Sequence, residues 1–258
     1  MKLKITKKTA KPTVLKKEMT GKVVSIIQEQ ACILNDESSF AFREAYNALR
    51  TNIIFSIPKD GCKIVGITSS ERSEGKSINT LNMAINIAES NARVLLIDCD
   101  LRKPKISRLL DVKSSPGVSN VLVGLNDVTE IVRTTKYANL HILLSGDIPP
   151  NPTELLGTDK FGDMLNTLSD NYDFILIDTP PVNAVADASI ISKNVEGFIF
   201  VVRQDISERD GVTHALEQLK FIEAKVLGFL LNSVTQSKGI YRRKYKKYSY
   251  GYEYYGID

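Results

Sequence analysis

From Cys62 onward, short apolar runs alternate with amphipathic stretches, and the two periods define the expected elements. The runs Cys62–Thr68, Val94–Asp98, Leu140–Leu144, Phe174–Asp178, Phe198–Val202 and Val226–Leu231 are short and mostly rich in Ile, Val and Leu. Each predicts a strand buried on both faces. Between them, Ile78–Ser90, Thr153–Leu168 and Glu208–Glu223 predict helices; in the last, Val212, Leu216, Leu219 and Ile222 make one apolar stripe. Ahead of the first strand, Phe40–Phe55 predicts an amphipathic helix carrying Phe42, Tyr46, Leu49 and Ile53 on one face. Buried strands separated by crossover helices predict an α/β fold, a doubly wound, mostly parallel sheet covered on both sides. No internal repeat or interior linker interrupts it. The expected organisation is a basic arm at 1–36, one domain at 37–236 and a tail at 237–258.

Composition changes the picture mainly at the two ends. Of the ten tyrosines, Tyr241, Tyr245, Tyr248, Tyr250, Tyr252, Tyr254 and Tyr255 crowd the tail, interleaved with Arg242, Arg243, Lys244, Lys246 and Lys247. This segment has no apolar period and no Val, Leu or Phe, so it predicts no core element. Tyrosines placed in solvent point to use of their hydroxyls; by composition alone, stacking on nucleic acid is the alternative. At the other end, Lys2, Lys4, Lys7, Lys8, Lys11, Lys16, Lys17 and Lys22 form a basic arm. It suits either a solvated end or an anionic membrane surface, where each cation contributes about 1 kcal/mol. The net charge of +4 is too mild for a dedicated nucleic-acid binder, and the basic residues sit in the ends rather than along a groove-sized element. With 43% hydrophobic residues the chain can close one sizeable core. Cys32, Cys62 and Cys99 are too few and scattered for a disulfide framework or zinc site, which suits a reducing cytoplasm. No apolar stretch approaches the roughly 18 residues of a membrane span.

Candidate chemistry gathers where strands are expected to end. Residues 64–77 run from strand through loop into helix and close on Gly75-Lys76-Ser77. In such a phosphate loop the glycine lets backbone N–H groups approach phosphates, the lysine neutralises the terminal phosphates and the serine hydroxyl can ligate Mg²⁺. The strict pattern is broken, because Ser70 stands at the position of the first glycine. Asp98 with Asp100, and Asp178 before Thr179-Pro180-Pro181, place carboxylates just past two buried strands, at the edge where open α/β sheets bind ligands. A carboxylate there needs a cation or strong donors; capping of the following turn or helix is the plain alternative.

Phosphate loop, Asp98-Cys99-Asp100, Asp178-Thr179-Pro180-Pro181 and a terminal tyrosine cluster, in this order, resemble the bacterial tyrosine kinases of capsule and exopolysaccharide synthesis. The segment from Ser145 to Leu156, with Pro149, Pro150 and Pro152, looks like that family's loop and helix start. The resemblance covers Phe40 to the C-terminus and implies a P-loop NTPase fold of the MinD/ParA-like type, with ATP and Mg²⁺ as cofactors. It implies nucleotide contacts from Ser73, Glu74, Gly75, Lys76, Ser77, Ile78 and Asn232, Asn232 standing where related ATPases read the purine; a simple turn residue is its bland alternative. It implies metal ligation by Ser77, Asp100 and Asp178, and Asp98 as base on the incoming tyrosine, with Lys76 and Asp100 also catalytic. The phosphoacceptors would be the seven tail tyrosines.

The family's interface motif, Glu-x-x-Arg-x-x-Arg, appears from Glu44 to Arg50 with Asn47 for the middle Arg, which implies a ring-like homo-oligomer lacking one ion pair. Arg72-Ser73 replaces the usual Pro-Gly, so Ser73 is expected to take a conformation that favours glycine. The implied partners are a membrane adaptor of the polysaccharide co-polymerase type and a cognate tyrosine phosphatase. The implied location is cytoplasmic, peripheral to the inner face of the membrane. A partitioning or septum-site ATPase shares this fold, but carries a signature Lys early in the loop where this chain has Glu71. A nucleotide-sensing scaffold without turnover is the third reading.

Overall fold

The computed structural model describes residues 26–234; the lysines at 2–22 and the tyrosines at 241–255 lie outside them. The first long helix, α1 (Phe40–Ser56), starts at Ser39, whose hydroxyl accepts from the Phe42 N–H. The phosphate-loop strand β1 (Lys63–Ser69) leads to α2 (Lys76–Glu89), and β2 (Val94–Asp98) follows. Three short helices come next, α3 (Ile106–Leu109), α4 (Val118–Leu122) and α5 (Val128–Ile131), before β3 (Arg133–Thr134) and β4 (Leu140–Leu143). The second half runs α6 (Pro152–Leu156), α7 (Asp159–Ser169), β5 (Phe174–Asp178), α8 (Asp187–Ile191), β6 (Gly197–Arg203), α9 (Arg209–Phe221) and β7 (Val226–Asn232).

The strands form one sheet in the order β3-β4-β2-β5-β1-β6-β7, parallel except for the β3–β4 pair. Alternation along each central strand explains the unbroken apolar runs. Leu96 and Leu176 pack with α2 residues Leu81 and Ile85 on one side, while Leu95, Ile97, Ile175 and Ile177 pack with Phe161, Met164 and Leu165 of α7 on the other. Both faces are covered, so both sets of side chains must be apolar. A smaller cluster of Phe198, Phe200, Ala215 and Leu219 seats α9. Gly66 is required in β1 because a Cβ there would lie 2.4 Å from the Phe198 ring.

Three expectations need correction or extension. The helix expected across Thr153–Leu168 is two helices, broken at Gly157 and Thr158; Gly157 ends α6, and α7 restarts at Asp159 with its own buried face. The two-residue strand β3 adds an antiparallel edge that its short sequence did not announce. Packing also reaches back before residue 37, because Leu34 is fully buried in the cluster that includes Tyr46 and Ile53.

Candidate active site

The phosphate loop leaves the C-terminal end of β1 and closes on α2. Gly75 has φ of +95°, and a Cβ there would meet the Asn232 side chain at 2.1 Å. Only glycine fits. Ser73 also sits at positive φ, +65°, without the glycine that would make it free of strain. The loop is held from behind. Arg203 Nη1 donates to the Ser73 carbonyl at 2.8 Å, Asn232 Nδ2 to the Glu74 carbonyl at 2.9 Å, and Asn79 Nδ2 to the Gly75 carbonyl at 2.8 Å.

Glu74 turns its side chain away from the cleft. Its carboxylate is fully buried, accepting from the Ser70 hydroxyl at 2.9 Å, from the Glu71 N–H at 2.8 Å and from the Ser207 hydroxyl. Its side chain therefore braces the loop from inside and does not face the cleft. Ser73, Gly75, Lys76, Ser77, Ile78, Asp100 and Asn232 do line one open cleft of about 2120 Å³. Asn232, expected at the purine, has its amide nitrogen committed to the loop.

The carboxylates converge because β2 and β5 are neighbours. Asp98 and Asp178 are register partners at the ends of these strands, and both are fully buried. Asp98 accepts from the N–H groups of Asp100 and Ile106, at 3.2 Å each, so it caps the turn that opens α3. Burial pushes its carboxyl well above the usual range, and the charges of Asp178 and Asp100 push the same way. Burial likewise raises Asp178, to about 6, against the pull of Lys76 and of the Ser77 and Thr80 hydroxyls. Lys76 is lowered, first by its own burial, although Asp178, Asp100 and Glu74 draw it up. One buried ammonium beside three carboxylates leaves negative charge to be matched.

Asp178 Oδ2 is buried with no hydrogen-bond partner. An unmatched buried carboxylate oxygen is costly unless it meets a cation or donor, directly or through water. The donor set also suits Mg²⁺, which binds through hydroxyl and carboxylate oxygens, keeps several waters and shares phosphate oxygens. Among the described residues no three His, Cys, Asp or Glu side chains are grouped to hold a metal ion by themselves.

Residues 62–231 match the AAA-domain family model. Tyrosine-protein kinase CpsD of Streptococcus agalactiae is 38% identical to this chain over 199 residues, 77% of this chain and 85% of that protein. The chain belongs to the tyrosine-protein kinase family. The solved kinase domain of Escherichia coli tyrosine kinase ETK superposes with a TM-score of 0.71 at 30% identity, covering 76% of this kinase and 80% of that chain. The septum-site-determining protein MinD of Pyrococcus horikoshii, solved with Mg-ADP, shares the fold at a TM-score of 0.59 and 27% identity, covering 69% and 72%. The fold is thus that of the P-loop ATPases.

Several residues of the site escaped sequence reasoning. Arg203 lies one position past an expected strand end, the same signal that drew attention to Asp98 and Asp178. Asn79, Asn82 and Asn86 form a polar stripe at helical spacing on α2, visible in the sequence but hidden by the surrounding apolar residues. Arg102 clamps the fully buried Asp187, Nε to Oδ2 at 3.0 Å and Nη2 to Oδ1 at 3.2 Å, while Nη2 also reaches Thr153 Oγ1 at 2.6 Å. The expected interface residues make contacts within this chain. Glu44 accepts from Asn47 Nδ2 at 2.6 Å, and Arg50 Nη1 donates to the Asn86 carbonyl at 3.0 Å.

Proposed function

We propose that this kinase binds Mg-ATP at the phosphate loop and transfers the γ-phosphoryl group to tyrosines of its 241–255 tail, carried by a neighbouring subunit. The observation that supports this most is the in-register pair Asp98 and Asp178 at the strand ends beside buried Lys76. Phosphoryl transfer asks for positioning and charge neutralisation more than for covalent chemistry. The tyrosine oxygen bonds to the γ-phosphorus as the bond to the β-γ bridging oxygen breaks, and ADP leaves with that oxygen.

In this reading Lys76 neutralises charge on the terminal phosphates, and the N–H groups of Ser73 to Ser77 take their oxygens. Ser77, Asp100 and Asp178 would hold Mg²⁺ directly or through water, and the bound ion would supply charge neutralisation for the phosphates. Asp98 takes the tyrosine proton. Burial raises its affinity for protons, and each of its oxygens keeps a lone pair beside the bond from the Asp100 or Ile106 N–H. The Asn232 carboxamide oxygen remains free in role to meet the base edge.

Each phosphate adds about −1.5 to −2 charges, so a few would reverse the basic character of the tail. Ring assembly through Glu44 and Arg50 would weaken accordingly, and a cognate phosphatase would restore it. The biological role follows the resemblance: control of capsular or extracellular polysaccharide synthesis, with a membrane adaptor of the co-polymerase type holding the kinase at the inner face of the membrane. Among the described residues no helix is long and apolar enough to cross it.

Incubation of the purified chain with Mg-ATP tests the assignment. Phosphotyrosine at 241–255 by mass spectrometry supports it, free phosphate alone means a motor-like ATPase, and neither means a scaffold. Lys76→Met is expected to abolish phosphotyrosine while keeping the circular dichroism spectrum; persistent tail phosphorylation in that variant would overturn the site.

A further inference from the structure

A directional chain of hydrogen bonds joins the segment ahead of α1 to the phosphate loop. The Leu34 N–H donates to Asn82 Oδ1 at 2.8 Å, and Asn82 Nδ2 donates to the Cys32 carbonyl at 2.9 Å and to the Tyr46 hydroxyl at 3.1 Å. That hydroxyl donates to Asn79 Oδ1 at 2.8 Å, and Asn79 Nδ2 donates to the Gly75 carbonyl at 2.8 Å. Both Asn82 amide hydrogens are used, and the phenol accepts once and donates once. Leu34, Tyr46, Asn79 and Asn82 are all buried, so a lost link costs more than it would at the surface. Burial holds the Tyr46 hydroxyl protonated, its pKa raised to about 12.

The far end of this chain bears on phosphate binding through peptide geometry. In a planar trans peptide the C=O and N–H point in opposite directions. The Gly75 carbonyl accepts from the Asn79 N–H at 3.1 Å and from Asn79 Nδ2, so the side chain is a second hold on the peptide whose Lys76 N–H faces the other way, as the Asn232 grip on the Glu74 carbonyl is for the Gly75 N–H. At the near end, residues 29–34 are seated by Leu34, by the Glu29–Lys105 ion pair at 3.1 Å and by Gln30 on the Arg108 carbonyl at 3.0 Å.

We propose that Asn79 is a positioning residue of the phosphate loop and that Tyr46 and Asn82 make its grip depend on the seating of residues 32–34, so that seating this segment raises nucleotide affinity. This rests on the nucleotide reading of the cleft. It gives the α1–α2 contact a second role besides cohesion, and it places a control point at the end of the N-terminal arm where that arm meets the kinase domain.

Calorimetric titration of the full chain with Mg-ADP tests it. Tyr46→Phe and Leu34→Ala are each expected to weaken binding on the order of fivefold to tenfold. The double variant is expected to be no weaker than the single ones, because either change cuts the same chain. In steady-state kinetics KM for ATP rises and kcat is kept. Asn82→Ser, which removes the links to Cys32, Leu34 and Tyr46 and keeps the Leu34 anchor, replaces Leu34→Ala should that variant fail to fold. A lower melting temperature with unchanged Mg-ADP affinity would overturn the proposal, since that is what a purely cohesive contact gives. Multiplying losses in the double variant would overturn it equally. If the unaltered chain bound no Mg-ADP, the nucleotide reading itself would fall.

Discussion

Asp178 shows how the site works against the fold that carries it. Its folded pKa of about 6 lies above the 3.8 of a free carboxyl, so the folded chain holds a proton that the unfolded chain has lost. The stability this contributes is whole below pH 3.8 and disappears as pH rises through 6. At neutral pH the unliganded protein therefore carries a buried charge it would be more stable without. Asp178→Asn is expected to raise the melting temperature at pH 7, by about 2–4 °C for each kcal/mol relieved, while phosphotyrosine formation is lost. Relative to the variant, the parent chain should gain stability on acidification from pH 7 to 4; equal slopes in calorimetry would refute this account. Asp98 and Asp178 stood out in the sequence because a charge after a run of buried apolar residues needs a reason, and Lys76 because it stands in Gly-Lys-Ser after a strand and loop. Glu74 was not, because adjacency to Gly75 says nothing about which side of the loop a side chain takes.

The elements that frame the cleft are tied by polar clamps rather than by apolar contact alone. Arg102 joins the turn after β2 to the start of α6 through Thr153 and to the first residue of α8 through Asp187. A lysine cannot reproduce the planar fork, and Asp187 is fully buried. Arg102→Lys should lower stability by about 1–3 kcal/mol, seen in urea as a lower midpoint at unchanged slope; a midpoint within error of the parent would mean that the clamp is ornamental. This pairing joins residues 51 to 85 positions apart, beyond the reach of any local pattern. The same limit hid the break between α6 and α7. Apolar spacing runs on across Gly157, and only the placement of α7 against β5 shows that a new helix has begun.

At the scale of the molecule, the parallel sheet brings strand ends from distant parts of the chain to one edge, and a ligand bound there stabilises the whole. Mg-ADP at about a hundred times its Kd is expected to add about 2.7 kcal/mol to the unfolding free energy, read as a rise in melting temperature. Lys76→Met should melt unliganded near the parent and show no such rise. A full rise in that variant would mean that the nucleotide sits elsewhere.

The sequence alone determined the α/β class, six of the strands to within a residue at each end and the carboxylates that close two of them, because each depends on local period and on the cost of burying charge. Only the tertiary structure decided which strands are neighbours. That choice sets Asp98 beside Asp178, where burial raises both carboxyls and the charge of Asp178 adds to the rise at Asp98. It also decided which side of the loop Glu74 takes and which carbonyls Asn79, Arg203 and Asn232 grip, since hydrogen bonds form between groups close in space whatever their separation along the chain.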